Sequence, residues 1–521
     1  MVLSRGQMSN QSSDNNKRIA KNTLLLYFRM LFLMFIGLFT SRINLQSLGV
    51  DNFGIYNVVG GVVAMFSVLT GSLSVAISRD ITFEIGRGDK EKLSKVFSSA
   101  VTIQIFMSVI VVLIAEVAGV WFLNNKMVVP TDRLDAANWV LQFSIVSFVL
   151  TLISVPYNAC IIAHEKMSAF AYITIYEAIM KLLIAYSVFV TPIDKLITYA
   201  ALLLFLSFSM RIIYGVYCSR KFEECHYRFV FDKDLLKHMG GFAGWTMFGN
   251  LAYVGYSQGL NILLNLFFGP SVNAARGVAM QVNEKVSAFC TNFQMALNPQ
   301  ITKSYAANDL KRMHSLIYSS SKYSFFMLLL LSLPIMIEAP SILHYWLGLV
   351  PDHTVWFVRL IFMILMVDAT ANPLTVGAQA NGNIKVYQIV VGSILLLIVP
   401  ISYVALKMGC IPEGVFIVHL CVVILAQCVR IYMVRNMIQL AVGEYIQKVI
   451  VKIGLVVATA IILPLLLHSY LQPSFVSMVL VCLVSMISVM IFVYVLGLNS
   501  SERTKFNGKV VAFKSKIFSR K

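Results

Sequence analysis

AISRDITFEIGRGDKEKLSKVFSS, residues 76–99, aligns without a gap on ALNPQITKSYAANDLKRMHSLIYS, residues 296–319, at a shift of 220 positions. Ala76 falls on Ala296, Ile81 on Ile301, Thr82 on Thr302, Asp89 on Asp309, Lys92 on Arg312 and Ser99 on Ser319. Upstream, Gly49 falls on Gly269 at the same shift. A long-period repeat means two copies of one architecture. What that architecture is follows from the sequence on either side.

Working outward, the chain is a series of apolar runs separated by short polar stretches. A bilayer core of about 30 Å needs roughly 20 apolar residues per helix. Runs of that kind fall at 22–46, 55–78, 96–123, 137–163, 169–190, 196–218, 241–267, 273–298, 320–345, 355–378, 386–407, 414–434, 449–470 and 475–497. The reading is an all-α polytopic membrane protein with about 14 transmembrane helices. Composition agrees: 58% of residues are hydrophobic, 13% are charged, and mean hydropathy is +0.78. A soluble domain is closer to 45–50% apolar and about 25% charged.

Net charge is +18. In a soluble chain that excess would point to nucleic acid; here it reads as the Lys/Arg bias of cytoplasmic loops. With both ends cytoplasmic, the connections on the far side carry only Lys126, Arg133, Lys195 and Lys407 of the 42 basic residues. Six spans precede residue 220, so both copies of the repeat enter the membrane in the same direction. That is a parallel repeat, related by an axis along the membrane normal. The organisation expected is a cytoplasmic tail 1–21, an N-lobe 22–218 and a linker 219–240. A C-lobe 241–434, two added spans in 449–497 and a basic cytoplasmic tail 498–521 follow. Arg228–Gly240 places Leu235, Leu236 and Met239 beside Lys233 and Lys237. That reads as a surface-lying amphipathic helix or as an extension of the seventh span. The tail from Ser501, with Phe506, Val510 and Phe513 among basic residues, reads as surface-lying or solvated.

Charges inside spans are costly, roughly 2.5–3.5 kcal/mol each at mid-bilayer, so they must face protein or a wet cavity. Arg29 and Arg42 lie in the first span, Arg276 and Lys285 in the eighth. At about 100° per residue, Arg29 and Arg42 point roughly 140° apart, and Arg276 and Lys285 lie on nearly opposite faces. The expectation is that Arg29 and Lys285 reach a central cavity, with Arg42 and Arg276 nearer its outer mouth. Several uncompensated cations there would select an anionic substrate such as a phosphate or diphosphate. Glu177 and Lys181, four apart in the fifth span, can pair on one face. They are either a structural ion pair or a coupling-ion site. Asp368, near the middle of the tenth span with no basic residue at helical spacing, is the proton-site candidate.

The eight cysteines show no CxxC pair. Cys160, Cys290, Cys421 and Cys482 read as small buried hydrophobes, and no metal site or cofactor is expected. There is no GxSxG, HExxH or P-loop, so no catalytic constellation: a transporter rather than an enzyme. The basic N-terminal stretch with an apolar run lacking a cleavage site reads as an uncleaved first span.

The first two spans and their loop, RIAKNTLLLYFRM, FTSRINLQSLGVDNFGIYNVVGGVVAMFS and RDITFEIGRGDKEKL, resemble the oligosaccharide flippases of the multidrug/oligosaccharidyl-lipid/polysaccharide exporter superfamily. The segment from Gly244 to Tyr305, ending ALNPQITKSY, is similar to the same branch, that of polysaccharide biosynthesis proteins. The Leu48-Gly49, Phe53-Gly54, Tyr56-Asn57 pattern and the run from Asn298 carry the likeness. The resemblance implies two six-helix lobes around a cavity lined by the first, second, seventh and eighth helices. It also implies transfer of an undecaprenyl-diphosphate-linked oligosaccharide, such as an O-antigen repeat unit, between leaflets of the bacterial inner membrane. Membrane lipids, a polysaccharide polymerase and chain-length proteins would be its partners. The alternatives are an ion-coupled multidrug antiporter of the same superfamily or a glycan polymerase or ligase. The first needs cavity acids for cationic drugs. The second needs a far-side active-site loop, and the far-side loops here are short.

Overall fold

The computed structural model describes residues 22–37, 39–40, 43–44, 46–49, 52, 55–56, 59, 66–125, 130–229, 232–347, 350–499, 502–504 and 507. Arg42, the 1–21 tail, most of the C-terminal tail, and Phe53, Gly54 and Asn57 lie outside the described residues.

Among the described residues the fold is all helical. The elements are α1 Asn22–Gly37, α2 Ser67–Arg87, α3 Lys90–Asn125, α4 Leu134–Ala163, α5 Met167–Ser187 and α6 Lys195–Lys221. Then come α7 Lys233–Phe268, α8 Pro270–Ala306, α9 Leu310–Ile337, α10 Ala339–Leu347 and α11 Thr354–Asn381. The last four are α12 Lys385–Lys407, α13 Gly414–Ile438, α14 Val442–Tyr470 and α15 Phe475–Gly497. Ten of these are long and apolar enough to cross a membrane: α3 to α6, α9 and α11 to α15. Their outer faces expose Leu463, Leu466, Leu483 and Ile487, the surface a lipid solvent requires. Of the other four expected spans, 22–46 and 55–78 overlap α1 and α2 only in part, and 241–267 and 273–298 fall within α7 and α8. Of these, α7 and α8 are fully described, with 36 and 37 residues, yet fall short in apolarity. Asn283, Glu284 and Lys285 break the apolar surface of α8. A helix facing a wet cavity tolerates such residues; one facing lipid does not.

Helix ends follow local chemistry. The Asp89 carboxylate accepts from Lys92 N at 3.0 Å and starts α3. Asp194 accepts from Leu196 N and Ile197 N to start α6. Ser474 and Ser477 form a capping box on α15. α7 is continuous from Lys233, so of the two readings of this stretch the extension of the seventh span is the one seen, as the first two turns of that helix. Its Met239 is buried and its Leu235 packs on the apolar core that includes α4 and α6. Protein, not a headgroup layer, receives that apolar face.

The repeat is visible in backbone conformation. Gly49 and Gly269 have φ of 78° and 82°. Gly88 and Asn308, also equivalent at the 220 shift, have φ of 78° and 58°. Both pairs occupy the left-handed region that ends helices. Repeat-equivalent Gly86 and Ala306 meet directly. A Cβ on Gly86 would sit 2.7 Å from Ala306 Cβ and 2.9 Å from the Lys303 carbonyl oxygen. Gly86→Ala is therefore expected to cost about 1–3 kcal/mol, the overpacking range. Gly71→Ala, in open space, should instead gain about 0.5–1 kcal/mol of helix stability. Thermal unfolding of the purified protein in detergent checks both; equal effects at the two positions would contradict the close approach.

By packing, the chain divides into two units. Unit 1 comprises Met1–Leu251, Met295–Asp309 and Gln379–Ile389; unit 2 comprises Ala252–Gln294, Leu310–Ala378 and Val390–Lys521. Unit 2 includes the two added spans.

Candidate functional site

In unit 2, α7, α8, α11 and α13 enclose a polar cavity of about 160 Å³. Arg276 and Asp368, two residues expected to act separately, both line it. Ser257 and Asn261, one turn apart on α7, hold the arginine: Nη2 donates to the Ser257 carbonyl at 2.9 Å and Nη1 to Asn261 Oδ1 at 3.1 Å. Asp368 makes no hydrogen bond or ion pair among the described residues. His419 and Asn283 complete the polar lining. Three buried polar atoms of cavity residues, Arg276 Nε, Asn283 Oδ1 and His419 Nε2, have no hydrogen-bond partner among the described residues. Buried polar groups are normally satisfied, so orphans around a cavity mark a place for water or an ion.

Arg276, expected nearer the outer mouth of a central cavity, lines this cavity of unit 2. It is 9% exposed and held inside unit 2 by α7 hydroxyl, amide and carbonyl groups. Lys285, nine positions along α8, is exposed and makes no hydrogen bond or ion pair among the described residues. The opposed faces follow from helical geometry.

In unit 1, Glu177 and Lys181 pair at 2.6 Å. They line a cavity of about 600 Å³ with Ser74, Ser147, Thr151 and Ser207. Hydroxyls from α2, α4 and α6 thus surround an ion pair within the membrane layer. Arg29 is half-buried, its guanidinium 4.5 Å over the Phe170 ring. An aromatic face partly replaces water around that charge.

Two groups of unit 1 carried no sequence signal. Glu165, between α4 and α5, has a fully buried side chain that accepts from Lys303 Nζ at 2.8 Å and Gln300 Nε2 at 2.7 Å. Asn22 Nδ2 donates to its carbonyl at 3.3 Å. Its φ of 57° is left-handed, a conformation costing a non-glycine residue about 1–2 kcal/mol. Arg79 donates to the carbonyls of Gln379 at 3.1 Å and Ala380 at 2.7 Å, and pairs with Asp80 at 2.5 Å. These contacts hold the ends of α8 and α11 against α2 and the α4–α5 turn. His419 and Asn283 likewise gave no sign: each stands alone in a run whose period is set by packing.

Helices of spanning length, an internal repeat and ionisable groups walled into polar cavities define a multi-pass membrane transporter. Residues 19–291, more than half of the chain, match the family model described as "Polysaccharide biosynthesis protein". The chain belongs to that family. It is 26% identical over 127 residues to an uncharacterized membrane protein, EpsK, of Bacillus subtilis (strain 168), the match covering 24% of this chain and 25% of that protein. The chain thus matches about a quarter of the length of that relative.

Solved structures share the fold. A MATE structure in the bent conformation superposes with a TM-score of 0.73 at 14% identity, covering 83% of this chain and 97% of that one. An outward-facing multidrug resistance MATE family transporter of the MOP superfamily gives 0.67 at 14%, covering 81% and 96%. A MOP superfamily transporter from Pyrococcus furiosus Vc1 (DSM3638), described by the reverse polarity of its binding pocket, gives 0.65 at 14%, covering 82% and 97%.

Proposed function

We propose that the protein is a flippase for an undecaprenyl-diphosphate-linked oligosaccharide repeat unit. The observation that carries this reading is the family match together with an unpaired, exposed Lys285 on the polar α8. Lys285 of unit 2 is a contact for the diphosphate, Arg29 and Arg42 are candidate contacts in unit 1, the sugars cross in the protein, and the polyprenyl tail stays in lipid. Alternating access of the two repeats moves the head from the inner to the outer leaflet. The Arg276–Asp368 cavity binds the driving cation or proton, and the Glu177–Lys181 pair is a second coupling candidate. The protein sits in the bacterial inner membrane with both termini cytoplasmic and hands its cargo to a polysaccharide polymerase and chain-length proteins.

Depletion is expected to accumulate lipid-linked repeat units on the cytoplasmic face, measured by protease-free extraction and labelling of each leaflet. Normal surface polysaccharide after clean deletion, with no paralogue present, overturns the reading. The MATE fold neighbours favour a second reading, an ion-coupled drug antiporter. Drug sensitivity on deletion with unchanged polysaccharide would select it.

Lys285→Glu is a specific check. Lys285 has no partner to lose, so thermal stability should change by less than about 0.5 kcal/mol. Flipping of the anionic substrate should nevertheless fall, because a like charge now faces the diphosphate. Loss of flipping without loss of stability separates binding from folding.

A further inference from the structure

Three of the eight cysteines of the chain meet in unit 1, at the shared end of α4 and α6. Cys160 lies in the last turn of α4, Cys218 in the last turn of α6, and Cys225 in the single 3-10 turn Glu223–Cys225 that follows. The Cys160 and Cys225 sulfurs and a Glu224 carboxylate oxygen all lie within 4.8 Å of one another. Cys218 packs in the same apolar cluster, its Sγ donating to the Tyr157 carbonyl oxygen at 3.5 Å. Exposures are 0% for Cys160 and Cys218, 2% for Cys225 and 7% for Glu224.

Thiols alone in a core are ordinary small hydrophobes. A carboxylate buried beside two of them is a different donor set: held by His164 on one oxygen, it sits among sulfurs that can join it in binding a cation. Its orientation is fixed from behind. His164 Nε2 donates to Glu224 Oε1, and the His164 ring stacks on Phe222 with centroids 4.2 Å apart at 13°. A second group hydrogen-bonded to the ligand is what aims a metal-binding side chain. In tetrahedral zinc sites, Zn–S bonds of about 2.3 Å put ligand atoms roughly 3.8 Å apart. The cluster is within about 1 Å of that, a rotamer-scale adjustment. Thiolate donors favour zinc over the hard cations magnesium and calcium.

We infer that Cys160, Cys225 and Glu224 form a Zn²⁺ site. Binding releases the thiol protons to solvent past the partly exposed His164 edge. The ion ties the end of α4 to the start of the connection into α7. The spacing hides it: Cys160 lies 65 positions upstream of Cys225. None of this is a zinc-finger spacing.

The test is metal analysis of the full-length protein purified in detergent without chelator. One zinc per chain is expected, retained in Cys290→Ala and lost in Cys225→Ser. His164→Ala should keep the ligands but weaken zinc binding about 10–100-fold. If the serine variant fails to fold, Co²⁺ added to the chelator-stripped wild-type chain provides the second measurement: a thiolate-to-cobalt charge-transfer band is expected. No zinc and no such band overturns the site. So does zinc retained equally in the serine variant, or a Cys160–Cys225 disulfide found by non-reducing mass spectrometry.

Discussion

Glu165→Gln raises hydrogen exchange of the backbone amides in 295–309 by about 10²-fold. The wild-type carboxylate is fully buried, with Lys303 Nζ at 2.8 Å on one oxygen and Gln300 Nε2 at 2.7 Å on the other. The glutamine keeps the shape and removes the charge, leaving the Lys303 ammonium, itself only 20% exposed, beside a neutral amide. Removing one partner of a buried pair costs about 3–5 kcal/mol, and 1.4 kcal/mol is tenfold in an equilibrium. Some relaxation of Lys303 toward solvent holds the effect to about 3 kcal/mol. Local opening is what exchange reports, and the segment that opens is the one that Lys303 anchors. Adding Lys303→Met removes the second charge as well, so the double variant should recover much of the protection. Unchanged exchange in the single variant means that Gly86 packing, not charge, holds the segment. The left-handed φ of 57° at Glu165 points the same way: strain of this kind persists where the surroundings over-determine it. In a flippase this latch would release on one half of the cycle, so the same variant should alter transport.

How much of this was open to reading from sequence depends on the range of the interaction. The spans were legible because lipid imposes length and apolarity on consecutive residues. Glu177 and Lys181 were legible because four positions on one helix fix their proximity, and they pair at 2.6 Å. The repeat was legible from Ile81 and Ile301 or Asp89 and Asp309, and Gly49 and Gly269 share their backbone conformation. Arg276 and Asp368 were singled out individually by insertion cost. Their shared cavity was not legible, since it joins helices far apart in sequence. Burial of cysteines was a poor inference from apolar runs: Cys160 and Cys290 are buried, but Cys421 is exposed and Cys482 intermediate. In a membrane protein an apolar run faces lipid as readily as core. The same ambiguity concealed the cluster at Cys160, whose partners come from the turn that follows a different helix.

Asp368→Asn should make the protein more stable and stop transport at once. Asp368 lies within α11, lines the 160 Å³ cavity of unit 2 and has no hydrogen-bond partner among the described residues. Arg276, in the same cavity, directs its Nη atoms at Ser257 and Asn261 instead. The carboxylate is therefore an intramembrane group whose charge the protein does not neutralise by contact. Asparagine removes that cost, a gain of about 2 kcal/mol on insertion scales, visible as a raised unfolding temperature. If the carboxylate holds the coupling proton or cation, the amide cannot, and driven flipping falls to the uncoupled background in reconstituted vesicles. A group kept at a cost to stability is accounted for by function. Arg276→Gln does the reverse for folding: it strips donors from Ser257 and Asn261 and should lower stability by about 1–3 kcal/mol. Because both residues face one cavity, the double variant should depart from additivity by about 0.5–3 kcal/mol. If Asp368→Asn transports normally, the carboxylate is no coupling site, and the driving ion must bind elsewhere, with Glu177 and Lys181 the next residues to replace. If it is instead destabilised, the carboxylate is held by Arg430, the cation whose charge reaches it from α13, and its role is structural.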